Sequence, residues 1–175
     1  MALLTMGIQA ATLPLKAAEI KLSPTEKLNL KLVDDLCFTK YANVLKAMMM
    51  VETYAGRYDD ENQNLKFATS KRWKYMWYGI MQIEFRTAKW MVEQYDLYAH
   101  VNLSDEAILD KLMYSKGFNI YIANMYFKHL VQLFDGDIAF AILAYNVGPT
   151  NVMKFGLDYD PNNYLNKVNS YLKEM

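Results

Sequence analysis

Cysteine is nearly missing: Cys37 stands alone in 175 residues. A lone thiol excludes an intramolecular disulfide and a cysteine-rich zinc site. Its setting in LVDDLCFTKY reads as a small buried hydrophobe. A surplus of charge is missing too: Lys plus Arg equals Asp plus Glu at 19 each, with two His. Without a basic excess the chain cannot displace counterions from phosphate as a nucleic-acid binder does, nor hold an anionic membrane surface as a polybasic protein does. No uninterrupted apolar run reaches about 18 residues, so no ordinary membrane-spanning helix is predicted. Glycine (7) and proline (4) are scarce, and neither a repeat nor a low-complexity tract appears. What is present is 53% hydrophobic and 22% charged residues. That is enough to bury a substantial core, at a length that suits one domain.

The first eighteen residues, MALLTMGIQAATLPLKAA, are apolar and end in small residues like a secretory signal, yet they lack a basic start and Pro14 interrupts them. A cleaved signal, a signal-like remnant and a packed segment all stay open. Further along, the periodicity is helical. Ser23-Pro24-Thr25-Glu26 carries a capping box with proline in the first turn, and Leu28, Leu32 and Leu36 then recur at spacing four. Helices are expected over about Tyr41 to Tyr54, Phe85 to Tyr95, Ser104 onward, Asn119 to Phe134, Ile138 to Asn146 and Asn162 to Leu172. The stretch from Arg57 to Ser70 reads as an exposed polar loop holding at most a short helix. The helix from Ile138 is apolar almost all round and is expected at the centre, with Gly148-Pro149 ending it. Alternating runs are absent, so the fold is expected to be mostly α. Residues 1–40 are read as an N-terminal extension whose helix packs on a domain spanning 41–175.

Chemistry has a few places to sit. Glu52 ends the apolar run Ala47-Met48-Met49-Met50-Val51 near a helix C-terminus, where desolvation and the helix dipole both disfavour the charged carboxylate. A raised carboxyl pKa is what a general acid needs near neutral pH. Taken alone, Glu52 also reads as a surface residue of an amphipathic helix. Ala144-Tyr145-Asn146-Val147-Gly148-Pro149 places a phenol and an amide at the end of an apolar helix, and Gly79-Ile80-Met81-Gln82-Ile83 offers a further amide. Each of these has an ordinary structural explanation. His100 and His129 have no partner spacing that implies a metal, and none is expected; no cofactor is expected either.

Together and in order, Glu52, Gly79-Ile80-Met81-Gln82 and Ala141-Ile142-Leu143-Ala144-Tyr145-Asn146-Val147-Gly148-Pro149 resemble the lytic transglycosylase family with a lysozyme-like catalytic domain, of the soluble lytic transglycosylase type. Thr87-Ala88, Asn119-Ile120, Tyr126, Leu130, Phe134-Asp135-Gly136-Asp137 and Tyr164 with Lys167-Val168 and Tyr171 extend the likeness over about residues 41 to 172. Thr53 stands where the family usually has serine and keeps the hydroxyl. The interval from Glu52 to Gly79 is longer than usual by roughly ten residues, and no Ser-x-x-Gly-Ala lead-in is recognisable.

The resemblance implies a lysozyme-like, transglycosylase SLT-type helical domain with a substrate groove. It implies cleavage of the β-1,4 bond between N-acetylmuramic acid and N-acetylglucosamine in peptidoglycan, without water, leaving a 1,6-anhydro end. Glu52 would be the catalytic acid and then base. Met81, Gln82, Ala144, Tyr145, Asn146 and Tyr164 would line or orient the substrate site, with Tyr145 and Asn146 also helping to orient Glu52 and Tyr164 hydrogen-bonding near it. Of the ring-rich run Trp73, Tyr75, Trp77 and Tyr78, core packing with one or two exposed rings is the expectation. Asp59-Asp60-Glu61 reads as a solvated loop, and would supply a second carboxylate only in a hydrolase. Two alternatives stand beside the transglycosylase: a lysozyme-type hydrolase, and a non-catalytic scaffold of a wall-spanning assembly. The partners implied are peptidoglycan strands and, by the family's specialised members, a secretion, flagellar or phage-entry apparatus. The implied location is periplasmic or wall-facing.

Overall fold

The computed structural model describes residues 21–37, 40–95 and 103–175; the apolar first eighteen residues and His100 lie outside them. Helix α1 (Pro24–Leu36) starts as the capping box requires: Ser23 Oγ accepts from Glu26 N, and the Glu26 carboxylate accepts from Ser23 N at 2.8 Å. Its most buried face lies beside the leucine stripe, of which Leu32 and Leu36 are half-buried against the core. Leu28 is 65% exposed, while Glu26, Asn29 and Val33 point inward. The polar pair is tolerated there because each is fully partnered. Glu26 receives Arg57 Nε at 2.6 Å and Nη2 at 2.9 Å, and Asn29 Nδ2 donates to the Ala55 carbonyl at 2.7 Å.

Helix α2 (Ala42–Thr53) packs its methionine-rich face into the core, then stops abruptly. Tyr54, Ala55 and Gly56 all have positive φ, and the Tyr54 and Ala55 N–H groups turn back onto Met50 O and Met49 O. The polar interval that follows is more ordered than its composition predicts. Asp60 Oδ1 accepts from Asn62 N and starts helix α3 (Glu61–Ala68). A single 3₁₀ turn (Trp73–Tyr75) leads to strands β1 (Trp77–Tyr78) and β2 (Ile83–Glu84), paired antiparallel with Tyr78 opposite Ile83. These two-residue strands are too short to leave an alternating signal in the sequence.

Helices α4 (Phe85–Gln94), α5 (Asp105–Tyr114) and α6 (Lys116–Leu133) follow. Ser104 and Ser115 cap α5 and α6, so α6 begins three residues before Asn119. Helix α7 (Ile138–Val147) is the apolar one and packs on α6, on α8 (Pro149–Phe155) and on α9 (Tyr164–Leu172). Ala141 to Ala144 are buried along it. Gly148, at φ +83°, ends α7 in a backbone region open to glycine. Asp160 oxygens accept from Tyr164 N at 2.7 Å and Leu165 N at 2.9 Å, which fixes the start of α9. Helices α2 and α9 lie side by side. No described helix is long and apolar enough to cross a membrane.

Candidate active site

Glu52 stands one residue before the end of α2, half-buried, on the helix that α9 packs against. Tyr164, buried at the start of α9, donates its hydroxyl to Glu52 Oε1 at 2.6 Å. Burial pushes the Glu52 carboxyl up to about 7; the Tyr164 hydrogen bond, which favours the ionised form, opposes this and is outweighed. In turn, burial and the neighbouring Glu52 charge hold the Tyr145 and Tyr164 phenols well above their ordinary range. Both therefore stay protonated donors at neutral pH.

The turn between the two strands supplies the opposite wall. Gly79 has φ +72° and Gln82 φ +48°. Glutamine seldom adopts that conformation, and here two hydrogen bonds to one acceptor hold it: Gln82 N and Nε2 both donate to Gly79 O at 2.9 Å. Three side chains lock the turn from behind. Asn119 Oδ1 accepts from Met81 N at 2.8 Å while its Nδ2 donates to Tyr78 O at 2.8 Å. Thr53 Oγ1 donates to Ile80 O at 2.7 Å. Tyr145 Oη donates to Met81 O at 2.9 Å. The residue beside Glu52 thus ties α2 to the turn carrying Gln82.

A cleft of about 230 Å³ opens between these walls, lined by Glu52, Trp77, Gln82, Tyr145, Asn146 and Asn162. Glu52 is the only carboxylate among those lining residues. Asn162 Nδ2 donates to Asn146 Oδ1 at 3.1 Å, so the Asn146 amide faces Asn162. An acid poised near neutrality, surrounded by amides, phenols and one indole, can donate a proton to a neutral polar ligand and take one back.

Of the residues singled out in the sequence, Glu52, Gln82, Tyr145 and Asn146 line the cleft together, and Tyr164 touches Glu52 from beneath. Met81 and Ala144 do not line it; both are fully buried, and Met81 contributes its backbone as the anchor for Tyr145 and Asn119. The left-handed turn aims the Met81 side chain inward. The hydrogen bond to Glu52 comes from Tyr164, whereas Tyr145 spends its hydroxyl on Met81 O.

Among the rings, Tyr78 is buried and Trp73 packs against Phe85 at 4.5 Å. Trp77 is half exposed and is the one residue of 57–78 on the cleft wall. Helix α3 packs on α5 and on the 3₁₀ turn, and apart from Trp77 the long interval does not line the cleft. Asp59 accepts from Asn64 at 3.0 Å and Asp60 caps α3; neither lines the cleft. His129 contacts Tyr95 Oη at 3.2 Å and the Trp90 ring. Cys37 is buried, and burial raises its thiol to about 11. Sequence reasoning gave no site role to Asn119, named only within the family likeness, or to Asn162. Asn119 did leave a signal, since an amide inside an apolar helix has to be bonded; Asn162, on a polar connection, left none.

A family model described as the transglycosylase SLT domain matches residues 59–165, more than half of the chain. The chain belongs to the transglycosylase SLT domain family. The helical architecture is that of the lysozyme-like SLT domain, and membership supports transglycosylase-type action on peptidoglycan. The matched segment of this SLT domain holds Gln82, Tyr145, Asn146 and Tyr164 but begins after Glu52, so the place of Glu52 rests on geometry. Comparison with curated proteins and with solved structures returns no match.

Proposed function

We propose that this SLT domain is a peptidoglycan lytic transglycosylase that cleaves the β-1,4 bond from N-acetylmuramic acid to N-acetylglucosamine without water. The observation that carries this reading is Glu52: a half-buried carboxyl raised to about 7, held by Tyr164, and the sole carboxylate on its cleft. One group titrating near neutrality can serve in turn as acid and as base.

In the first step Glu52, protonated, donates to the glycosidic oxygen as the C1–O bond breaks, and N-acetylglucosamine leaves with a free 4-hydroxyl. The positive charge left at C1 is taken by the carbonyl oxygen of the substrate's own 2-acetamido group, so a second protein carboxylate is not required. In the second step Glu52, now ionised, removes the proton of the C6 hydroxyl. That oxygen attacks C1, the acetamido carbonyl is released, and a 1,6-anhydro ring forms. Glu52 ends protonated, as it began. The Tyr164 hydroxyl stabilises the ionised form between the steps. Gln82, Asn146 and Asn162 offer amides to the N-acetyl and hydroxyl groups of the sugars, and Trp77 offers an exposed ring face for stacking. Because the substrate lies outside the cytoplasmic membrane, the site of action is periplasmic or wall-facing, where secretion, flagellar or phage-entry assemblies also cross the wall.

The test is mass spectrometry of muropeptides released from purified peptidoglycan by the protein and by Glu52→Gln. Products one water lighter than hydrolytic ones, absent with the variant, are expected. Reducing ends would replace the reading with lysozyme-type hydrolysis. Intact strands with both proteins would replace it with a scaffold role.

A further inference from the structure

Glu52 is held by a side chain that comes from the weakest part of its helix. Tyr164 is the first residue of α9, and the first turn of a helix is where backbone hydrogen bonds are missing and fraying begins. Yet its hydroxyl keeps to Glu52 Oε1 at 2.6 Å. Asn163, in the capping position, does not secure that turn. Its backbone is left-handed, at φ +53°, and its side-chain oxygen accepts from Asn166 Nδ2 at 2.7 Å rather than from a helix amide.

The turn is held from four residues upstream. Asp160 Oδ1 accepts from Tyr164 N at 2.7 Å, and Oδ2 accepts from Leu165 N at 2.9 Å. The Asp160 carbonyl accepts from Asn163 N at 3.1 Å. Three successive N–H groups thus end on one residue. Bonds to an ionised acceptor are roughly twice as strong as neutral ones, and the helix dipole favours a negative charge at this end. Asp160 does not line the cleft. Asn162, on the connection it anchors, does line it and reaches Asn146 on α7, while Tyr164 touches the carboxyl itself.

We infer that Asp160 is a positioning residue for the reaction: its carboxylate locks the first turn of α9 so that the Tyr164 hydroxyl stays on Glu52. The inference rests on Glu52 being the acid and base of the proposed cleavage. It gives Asp160 an effect on Glu52 opposite in sign to that of its charge. A nearby negative charge favours protonated Glu52, so removing the charge alone would make Glu52 easier to ionise. The Tyr164 hydrogen bond favours the ionised form, so losing the holder of Tyr164 makes Glu52 harder to ionise. The titratable groups that face Glu52 are Tyr164 from α9 and Tyr145 from α7. No other ionisable side chain is among the residues lining the cleft.

The test follows the Glu52 carboxyl carbon by NMR through a pH titration of the full chain, with the signal assigned against Glu52→Gln. Tyr164→Phe is expected to raise the proton affinity of Glu52 about tenfold, the worth of one hydrogen bond to a charged group. Asp160→Asn keeps the shape but leaves one acceptor and turns an amide donor toward a backbone N–H; it is expected to raise the affinity about threefold. In the Tyr164→Phe background Asp160→Asn is expected to add nothing, because its path runs through the hydroxyl. Asp160→Ser, which keeps a neutral acceptor, is read in the same titration, so the result does not hang on one folded variant. On solubilised glycan strands both Asp160 variants are expected to lower kcat about threefold with KM unchanged. A Glu52 titration that stays put or moves down in the Asp160 variants, or that moves equally with Phe at position 164, overturns the inference and confines Asp160 to capping α9. A raised Glu52 titration in a protein that leaves glycan strands intact upholds the positioning and counts against the glycan-cleaving reading of the cleft.

Discussion

A carboxyl group raised to about 7 by burial is a cost to the fold wherever it must be ionised. Relative to an unfolded chain titrating near 4.5, the native state binds an extra proton between about pH 4.5 and pH 7. Stability contributed by this group is therefore present at low pH and lost as pH rises through that window. Above it the penalty reaches about 3 kcal/mol, since one pKa unit is about 1.4 kcal/mol. Glu52→Gln removes the charge and keeps an oxygen to accept from Tyr164. The variant should be more stable than the parent by up to that amount at pH 8 and no different at pH 4. Melting temperatures at the two pH values measure this; equal gaps at both would mean that Glu52 is not desolvated. The candidate acid is legible from the apolar run before it. Its partner Tyr164 is legible only through the family likeness, because nothing local links residue 164 to residue 52; the packing of α9 on α2 does.

At the scale of elements, the turn between β1 and β2 is held by backbone groups that side chains from three helices reach. A Cβ on Gly79 would stand 2.4 Å from the Leu112 carbonyl oxygen and 2.5 Å from Asn119 Nδ2, while its φ of +72° already disfavours an L side chain. Gly79→Ala should therefore cost more than about 3 kcal/mol in denaturant titration, well above the median substitution. A loss below about 1 kcal/mol would show that the Asn119 clamp yields easily. Thr53 gives a graded version of the same experiment. Its hydroxyl donates to Ile80 O and accepts from Gly56 N at 3.0 Å. Thr53→Ser keeps both bonds and should stay within about 1 kcal/mol; Thr53→Val leaves a buried carbonyl unpaired and should cost about 2 kcal/mol.

The helices around this turn are largely legible, because caps such as Ser23 and Ser104 and the apolar α7 are local signals. The start of α6 is misread because Asn119 resembles a helix-starting residue, whereas its side chain serves Met81, Tyr78 and Leu112. Helix α3 is the short helix that the 57–70 stretch allows; its polar sequence carries little apolar periodicity to place it, and its order comes from the Asp60 cap and packing on α5.

For the whole molecule, the question is what α1 does for a cleft it does not line. Val33 is fully buried and Cys37 nearly so. Asn29 accepts from Lys116 Nζ at 3.2 Å on α6 and donates to Ala55 O just past Glu52. Glu26 grips Arg57 in the same connection. The helix thus braces the three positive-φ residues that end α2 and fix where Glu52 points. The leucine spacing predicts an amphipathic helix here and places Leu32 and Leu36 against the core, but it misses Glu26 and Asn29, because a buried carboxylate and amide leave no apolar signature and their partners lie far along the chain. A chain beginning at residue 41 would expose Val33's site and strand the Ala55 carbonyl. Burial of one such side chain is worth about 1.5–3 kcal/mol and the hydrogen bond about 1 kcal/mol. The truncated chain should therefore lose about 3 kcal/mol against the full one in urea unfolding, and its activity should fall further than its folded fraction, because the end of α2 loosens before the core does. Activity that falls only in step with the folded fraction would limit α1 to packing and leave the aim of Glu52 to Thr53 and Tyr164 alone.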